Sequence, residues 1–256
     1  MKLHFRALGA GPPLIILHGL LGSLDNWVPV AQRLAAQFHV FLLDLRNHGH
    51  SPHGEAFSYD AMAADVREFM DNQQTGAAHL LGHSMGAKVV MRFSQLHPEA
   101  VRRLVSVDMS PREYPPRFDT LMDAMLAVDL AKFQRRDEVD KALLATIPDK
   151  TMRQFLLKNL GRDGAGQMFW KPNLASIRAN YGNLRAALPT ATRVGLPALF
   201  IRSGNSDYIR DDDAKLIREL FPNVVIQTIA GAGHWVHADA PDELTEIVTR
   251  FLLQEK

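Results

Sequence analysis

The segment Gly82-His83-Ser84-Met85-Gly86 constrains this chain more than any other. An apolar run, His79-Leu80-Leu81, leads into it, and a helical run, Ala87-Lys88-Val89-Val90-Met91-Arg92-Phe93, leads out. Strand, one sharp turn and helix is the context that a G-x-S-x-G nucleophile elbow demands. The glycines leave the space a tight turn needs, and Ser84 is held out at its tip. A chain of this length meets the five-residue pattern by chance about once in ten. A glycine-rich turn with an incidental serine therefore fits until the rest of the chain is read.

The rest alternates. Strand-like apolar runs at Leu3–Leu8, Leu14–Leu17, His39–Leu43, His79–Leu81, Leu104–Val107, Ala198–Ile201 and Val224–Ile229 are interleaved with helical patterns. These patterns cover Trp27–Gln37, Tyr59–Asn72, Ala87–His97, Asp212–Phe221 and Pro241–Leu253. Several strands are apolar on both faces, as buried parallel strands must be, so the expected class is α/β with a mostly parallel twisted sheet flanked by helices. One stretch breaks the alternation. From Pro111 to about Gly195 no strand is predicted, only helical stretches at Arg117–Ala127, Arg136–Ala145, Thr151–Asn159 and Leu174–Ala187. We read 111–195 as a helical cap inserted into a single domain spanning 1–256. Its Met122, Met125, Phe155, Met168, Phe169, Trp170 and Tyr181 serve mainly as packing between its helices, some lining an apolar ligand pocket.

Composition narrows the function. With 256 residues the chain can bury one sizeable core, and its net charge of +1 gives no basis for nucleic-acid binding. There is no cysteine, which excludes disulfides, thiolate metal sites and a cysteine nucleophile. The beginning, Met1-Lys2-Leu3-His4-Phe5-Arg6, lacks the apolar core of a signal peptide, and no apolar run is long enough to span a bilayer. A cytoplasmic protein is expected.

Serine needs a base, and the base needs a partner that fixes its tautomer. His234, in Ala230-Gly231-Ala232-Gly233-His234-Trp235, follows the last strand and precedes the last helix. Two carboxylates compete as its partner: Asp108, which ends the strand after the nucleophile helix, and Asp207, which follows the next strand. Both stand at carboxyl ends of strands, where sites in open α/β sheets form. Oxyanion donors in such a turn are backbone amides, here Met85 N–H and, from the loop His18-Gly19-Leu20-Leu21-Gly22, Leu20 N–H. His18 is expected to brace that loop.

These residues together resemble an α/β-hydrolase along the whole chain. His18–Ser23, Asp44-Leu45-Arg46-Asn47-His48-Gly49, Gly82–Gly86, Gly204-Asn205-Ser206 and Gly233-His234-Trp235-Val236-His237 resemble one subgroup of that superfamily. It comprises small bacterial acyl esterases and a mammalian relative, abhydrolase-domain protein eleven. The resemblance implies an acid at Asp108 and a serine, Ser206, beside the histidine. The wider superfamily places the acid at Asp207, so both stay open here. The activity this resemblance implies is that of a serine carboxylesterase acting on short to medium acyl esters through an acyl-enzyme; the triad chemistry needs no cofactor, and a monomer or homodimer is expected. The same residues would serve a thioesterase, a carbon–carbon bond hydrolase or a non-catalytic ligand receptor. His48, His50 and His53 have a spacing seen in binuclear zinc hydrolases, but Pro52 stands where those sites carry an aspartate, so no metal is expected.

Overall fold

The computed structural model describes residues 1–254. Among them seven strands form one sheet: β1 (Phe5–Leu8), β2 (Pro13–Leu17), β3 (His39–Leu43), β4 (Ala78–His83), β5 (Val101–Val107), and two later strands, Ala198–Ser203 and Val224–Ile229. Strand order is β1-β3-β2-β4-β5, then Ala198–Ser203, then Val224–Ile229. Only β1 runs antiparallel to its neighbour. Helices α1 (Val28–Leu34), α2 (Tyr59–Gln73) and α3 (Met85–Leu96) connect the first strands.

Alternate residues of each strand feed opposite layers. Leu14 and Ile16 pack with Trp27, Val30 and Leu34 near α1, whereas Ile15 and Leu17 pack with Met62, Val66, Val89 and Val90 of α2 and α3. Both faces are covered, which is why these strands are continuously apolar and not alternating.

The stretch between β5 and Ala198 holds α4 (Asp119–Ala127), α5 (Arg136–Leu143), α6 (Lys150–Leu157), the strands β6 (Leu160–Arg162) and β7 (Met168–Trp170), α7 (Leu174–Ala179) and α8 (Tyr181–Arg185). The strands Ala198–Ser203 and Val224–Ile229 are β8 and β9, followed or flanked by α9 (Asp213–Leu220), α10 (Val236–Asp239) and α11 (Pro241–Leu252). The insertion departs from the sequence-based expectation at two places. The expected strandless stretch contains the antiparallel hairpin β6–β7, whose three-residue arms are too short to show a period of two. The helix expected over Leu174–Ala187 breaks at Asn180, whose amide donates to Ser176 O at 2.9 Å and to Glu55 O at 3.1 Å. Asparagine competes in this way with helical backbone bonding.

A buried cation fastens the insertion to the nucleophile helix. Lys88, on α3, donates to Arg112 O and Ala186 O, 2.7 Å each, so one ammonium ties both ends of the insertion. Burial, with the Arg112 charge adding to it, pushes this ammonium down to about 7. Asn159 Nδ2 donates to Leu21 O at 2.7 Å, and Asn173 N to Asn47 O at 2.9 Å, which ties the insertion to loops at the carboxyl edge of the sheet.

Candidate active site

Strand order reverses between β2 and β4, the point where an open α/β sheet leaves a crevice at its carboxyl edge. The loops after both strands meet there. Ser84 adopts φ 52°, ψ −119°, a conformation a non-glycine residue holds only when its surroundings impose it. They do so through contact. A side chain at Gly82 would sit 2.2 Å from Gly86 O, and one at Gly86 would sit 2.4 Å from Leu17 O. Ser84 N donates to Val107 O at 3.1 Å, extending the β4–β5 ladder into the turn.

The hydroxyl so presented is within reach of an imidazole. Ser84 Oγ lies 3.0 Å from His234 Nε2, and His234 Nδ1 lies 2.8 Å from Asp108 Oδ2. Nδ1 facing a carboxylate carries the proton and leaves Nε2 free to accept the serine proton. Asp108 is fully buried and accepts three hydrogen bonds: from His234, from Ser203 N at 3.1 Å and from Ser206 Oγ at 2.5 Å. It too holds a positive φ, 49°. Ser206, which the resemblance sets beside the histidine, instead touches the carboxylate.

Asp207 is not brought to His234. Its carboxylate takes both guanidinium arms of Arg117 at 2.6 Å, points to the exposed rim, and is held below the ordinary carboxylate range by those bonds. Asp207 directly follows Ser206 in the turn after Ser203, yet Ser206 faces Asp108 while Asp207 faces Arg117.

Leu20 and Met85 flank the serine. Gly19 approaches so closely that a Cβ there would stand 3.1 Å from Ser84 Cβ. Among the described residues no protein acceptor takes the N–H of Leu20 or of Met85. The loop bearing Leu20 is braced by two neutral histidines. His18 donates from Nδ1 to Gly19 O (2.8 Å) and accepts at Nε2 from Leu45 N (3.0 Å). His48 accepts at Nε2 from Leu21 N (3.1 Å) and donates from Nδ1 to Arg46 O (3.0 Å). Sequence reasoning missed His48 as a brace because its spacing with His50 and His53 drew attention to metals. It also missed His83, whose Nε2–H donates to the His234 carbonyl at 2.8 Å; the hint was its place inside the elbow itself.

Burial lowers His18 to about 4 and, aided by the His18 charge, His48 to about 3. In the unfolded chain both return to about 6.5. As pH falls below 6.5 the unfolded chain takes up protons that the folded rings refuse. Stability present above pH 6.5 is therefore lost toward pH 4, each ring adding up to about 1.4 kcal/mol per pH unit. Thermal melts are expected to show a Tm that drops steadily from pH 7 to pH 4.5, with a shallower slope in His48→Gln. A flat Tm over that range would contradict this assignment.

Ser84 opens onto two cavities. The larger, about 330 Å³, is walled by Trp27, Phe155, Trp235 and Met152; the smaller, about 40 Å³, by Met85, Met109, Tyr114 and Tyr181. Leu20, Phe118 and Tyr208 border both. Of the insertion residues singled out from sequence, Phe155 and Tyr181 line these spaces, Met122, Met125 and Met168 are core, and Phe169 is exposed.

Known proteins share this architecture. A family model described as the alpha/beta hydrolase fold matches residues 12–241. Esterase YbfF of Escherichia coli is 35% identical, covering 98% of this chain and 99% of its own. The sn-1-specific diacylglycerol lipase ABHD11 of Mus musculus is 36% identical over 94% of this chain and 81% of its own. A solved structure titled marine microorganism esterase superposes with a TM-score of 0.95 at 39% identity, covering 98% of this chain and 99% of that one.

Proposed function

The chain belongs to the α/β-hydrolase family and is an enzyme of that family, and on this premise we propose that it is a serine carboxylesterase acting on short to medium acyl esters. The observation that carries the reading is the unbroken line from Ser84 Oγ through His234 to the buried Asp108 carboxylate. In this reading His234 takes the hydroxyl proton as Ser84 attacks the ester carbonyl. The Leu20 and Met85 amides receive the oxygen that becomes negative. His234 then returns the proton to the leaving alkoxide, and water repeats the sequence to free the acid. Asp108 orients the imidazole and stabilises its charged form.

Residues 111–195 act as a cap on one domain. They supply Phe155 and Met152 to the large cavity and Tyr181 to the small one, so the two sides of the ester differ in permitted size. The large cavity's volume lies at the lower end of small-molecule sites, about 300–1,000 Å³. Names of the relatives point the same way, toward ester and acylglycerol bonds. Among the described residues no helix is long and apolar enough to cross a membrane, which is compatible with a small ester reached from water.

An aryl acetate in excess over enzyme, followed through the first turnover, tests this reading. A burst of one equivalent of aryl alcohol is expected, with one acyl group added on Ser84 by peptide mass spectrometry. Turnover without acylation of Ser84 would refute it. A series of aryl esters of rising chain length then locates the acyl limit.

A further inference from the structure

We infer that Tyr208 is a positioning residue for His234, clamped on its other face by an Arg117–Asp207 ion pair. The inference rests on the esterase reading. The Tyr208 ring stacks on the imidazole with centroids 3.7 Å apart and planes 13° from parallel. The Arg117 guanidinium lies over the same ring, 4.7 Å from its centroid, and the imidazole already covers one face. Asp207 holds that guanidinium with two bonds of 2.6 Å. The result is a layered stack of cation, phenol and imidazole whose outer charge is already matched by a carboxylate.

Two hydrogen bonds leave the imidazole one remaining freedom. Nδ1 to Asp108 and Nε2 to Ser84 lie on one line across the ring, and neither prevents the ring from rocking about it. A parallel aromatic face does prevent it, because tilting separates the surfaces. The backbone under Tyr208 is fixed as well: its N–H donates to Ser206 Oγ at 3.3 Å and its carbonyl accepts from Tyr114 Oη at 2.6 Å. Ser206 in turn holds Asp108. The short loop 204–208 thus sets both partners of His234, the carboxylate through Ser206 and the ring plane through Tyr208. Asp207 sits between them and serves the stack from outside. A guanidinium lacking its carboxylate would place an unmatched positive charge behind a ring that must face an imidazolium.

The test compares Tyr208→Leu with Tyr208→Phe. Tyr208→Leu is expected to lower kcat for an aryl acetate by about 10- to 100-fold, more than it raises KM, since small misplacements of a reacting group cost that much. Tyr208→Phe keeps the ring face and is expected to stay within about threefold of the parent. Proton NMR gives a readout that needs no turnover. The low-field resonance of His234 Nδ1–H, assigned by its loss in His234→Ala, is expected to be sharp in the parent and in Tyr208→Phe and broadened in Tyr208→Leu. If Tyr208→Leu does not fold, Arg117→Met carries the test by freeing the ring, with a smaller fall in kcat and the same broadening. Unchanged kcat or an unchanged resonance in the folded variant overturns the inference, as does Tyr208→Phe behaving like Tyr208→Leu. Ser84→Ala separates the two readings. If it turns over ester like the parent, the functional reading fails; if it is inactive while Tyr208→Leu works normally, only the role of Tyr208 fails.

Discussion

Ser84→Ala is expected to reduce kcat for a small aryl ester by about 10⁵-fold or more, with KM little changed. The expectation follows from geometry. The hydroxyl is the group at hydrogen-bond distance from a base whose other nitrogen faces a carboxylate, at 3.0 Å and 2.8 Å. Residues that act as one unit fail together, so loss of the nucleophile costs nearly as much as loss of the whole set. The cavity beside Ser84 is walled by Trp27, Phe155 and Trp235, none of which the substitution changes. Binding should survive while chemistry stops. Folding should survive too, because the strained turn is imposed by contacts of Gly82 and Gly86 and not by the hydroxyl. Steady-state kinetics with an equal Tm for variant and parent is the check. A residual rate within tenfold of the parent would remove Ser84 from the mechanism.

The second large effect separates the two carboxylates. Asp108→Asn is expected to lower kcat by about 10⁴-fold, since the amide preserves shape but no longer secures the tautomer with Nε2 free. Asp207→Asn is expected to change kcat by no more than about fivefold, the range of an exposed ion pair worth up to about 1 kcal/mol. The asymmetry reflects placement. Asp108 is buried with three donors around it, and Asp207 lies at the rim with Arg117. Equal losses at both positions, measured on the same ester, would contradict the proposed roles. A large loss at Asp207 alone would reverse them.

The alternating strands and helices, and the strand–turn–helix that carries Ser84, were readable along the chain. Each depends on neighbours in sequence: apolar runs of three to six residues, a period of 3.6, and glycines flanking a serine. The same logic failed at the hairpin Leu160–Arg162 with Met168–Trp170, because three residues hold no period. It failed again at Asn180, where the break comes from a side chain reaching Glu55 across the molecule.

The site divides along the same line. Local pattern singled out Ser84 and His234, each in a strand–loop–helix junction, and the fold brings them within 3.0 Å of each other. It was not enough to rank Asp108 against Asp207. Both follow strands and both precede the histidine; only the packing of neighbouring parallel strands β5 and β8 turns one inward and leaves the other at the rim. The supporting residues were hidden for a similar reason. His48 under Leu21, Ser206 against Asp108 and Tyr208 over His234 are contacts between segments from 26 to 98 residues apart along the chain. Sequence determined which chemistry this chain can hold and where its strands must turn. Tertiary packing decided which carboxylate and which ring meet the imidazole, because that choice is made by distance across the sheet's edge, and no local preference of the backbone encodes it.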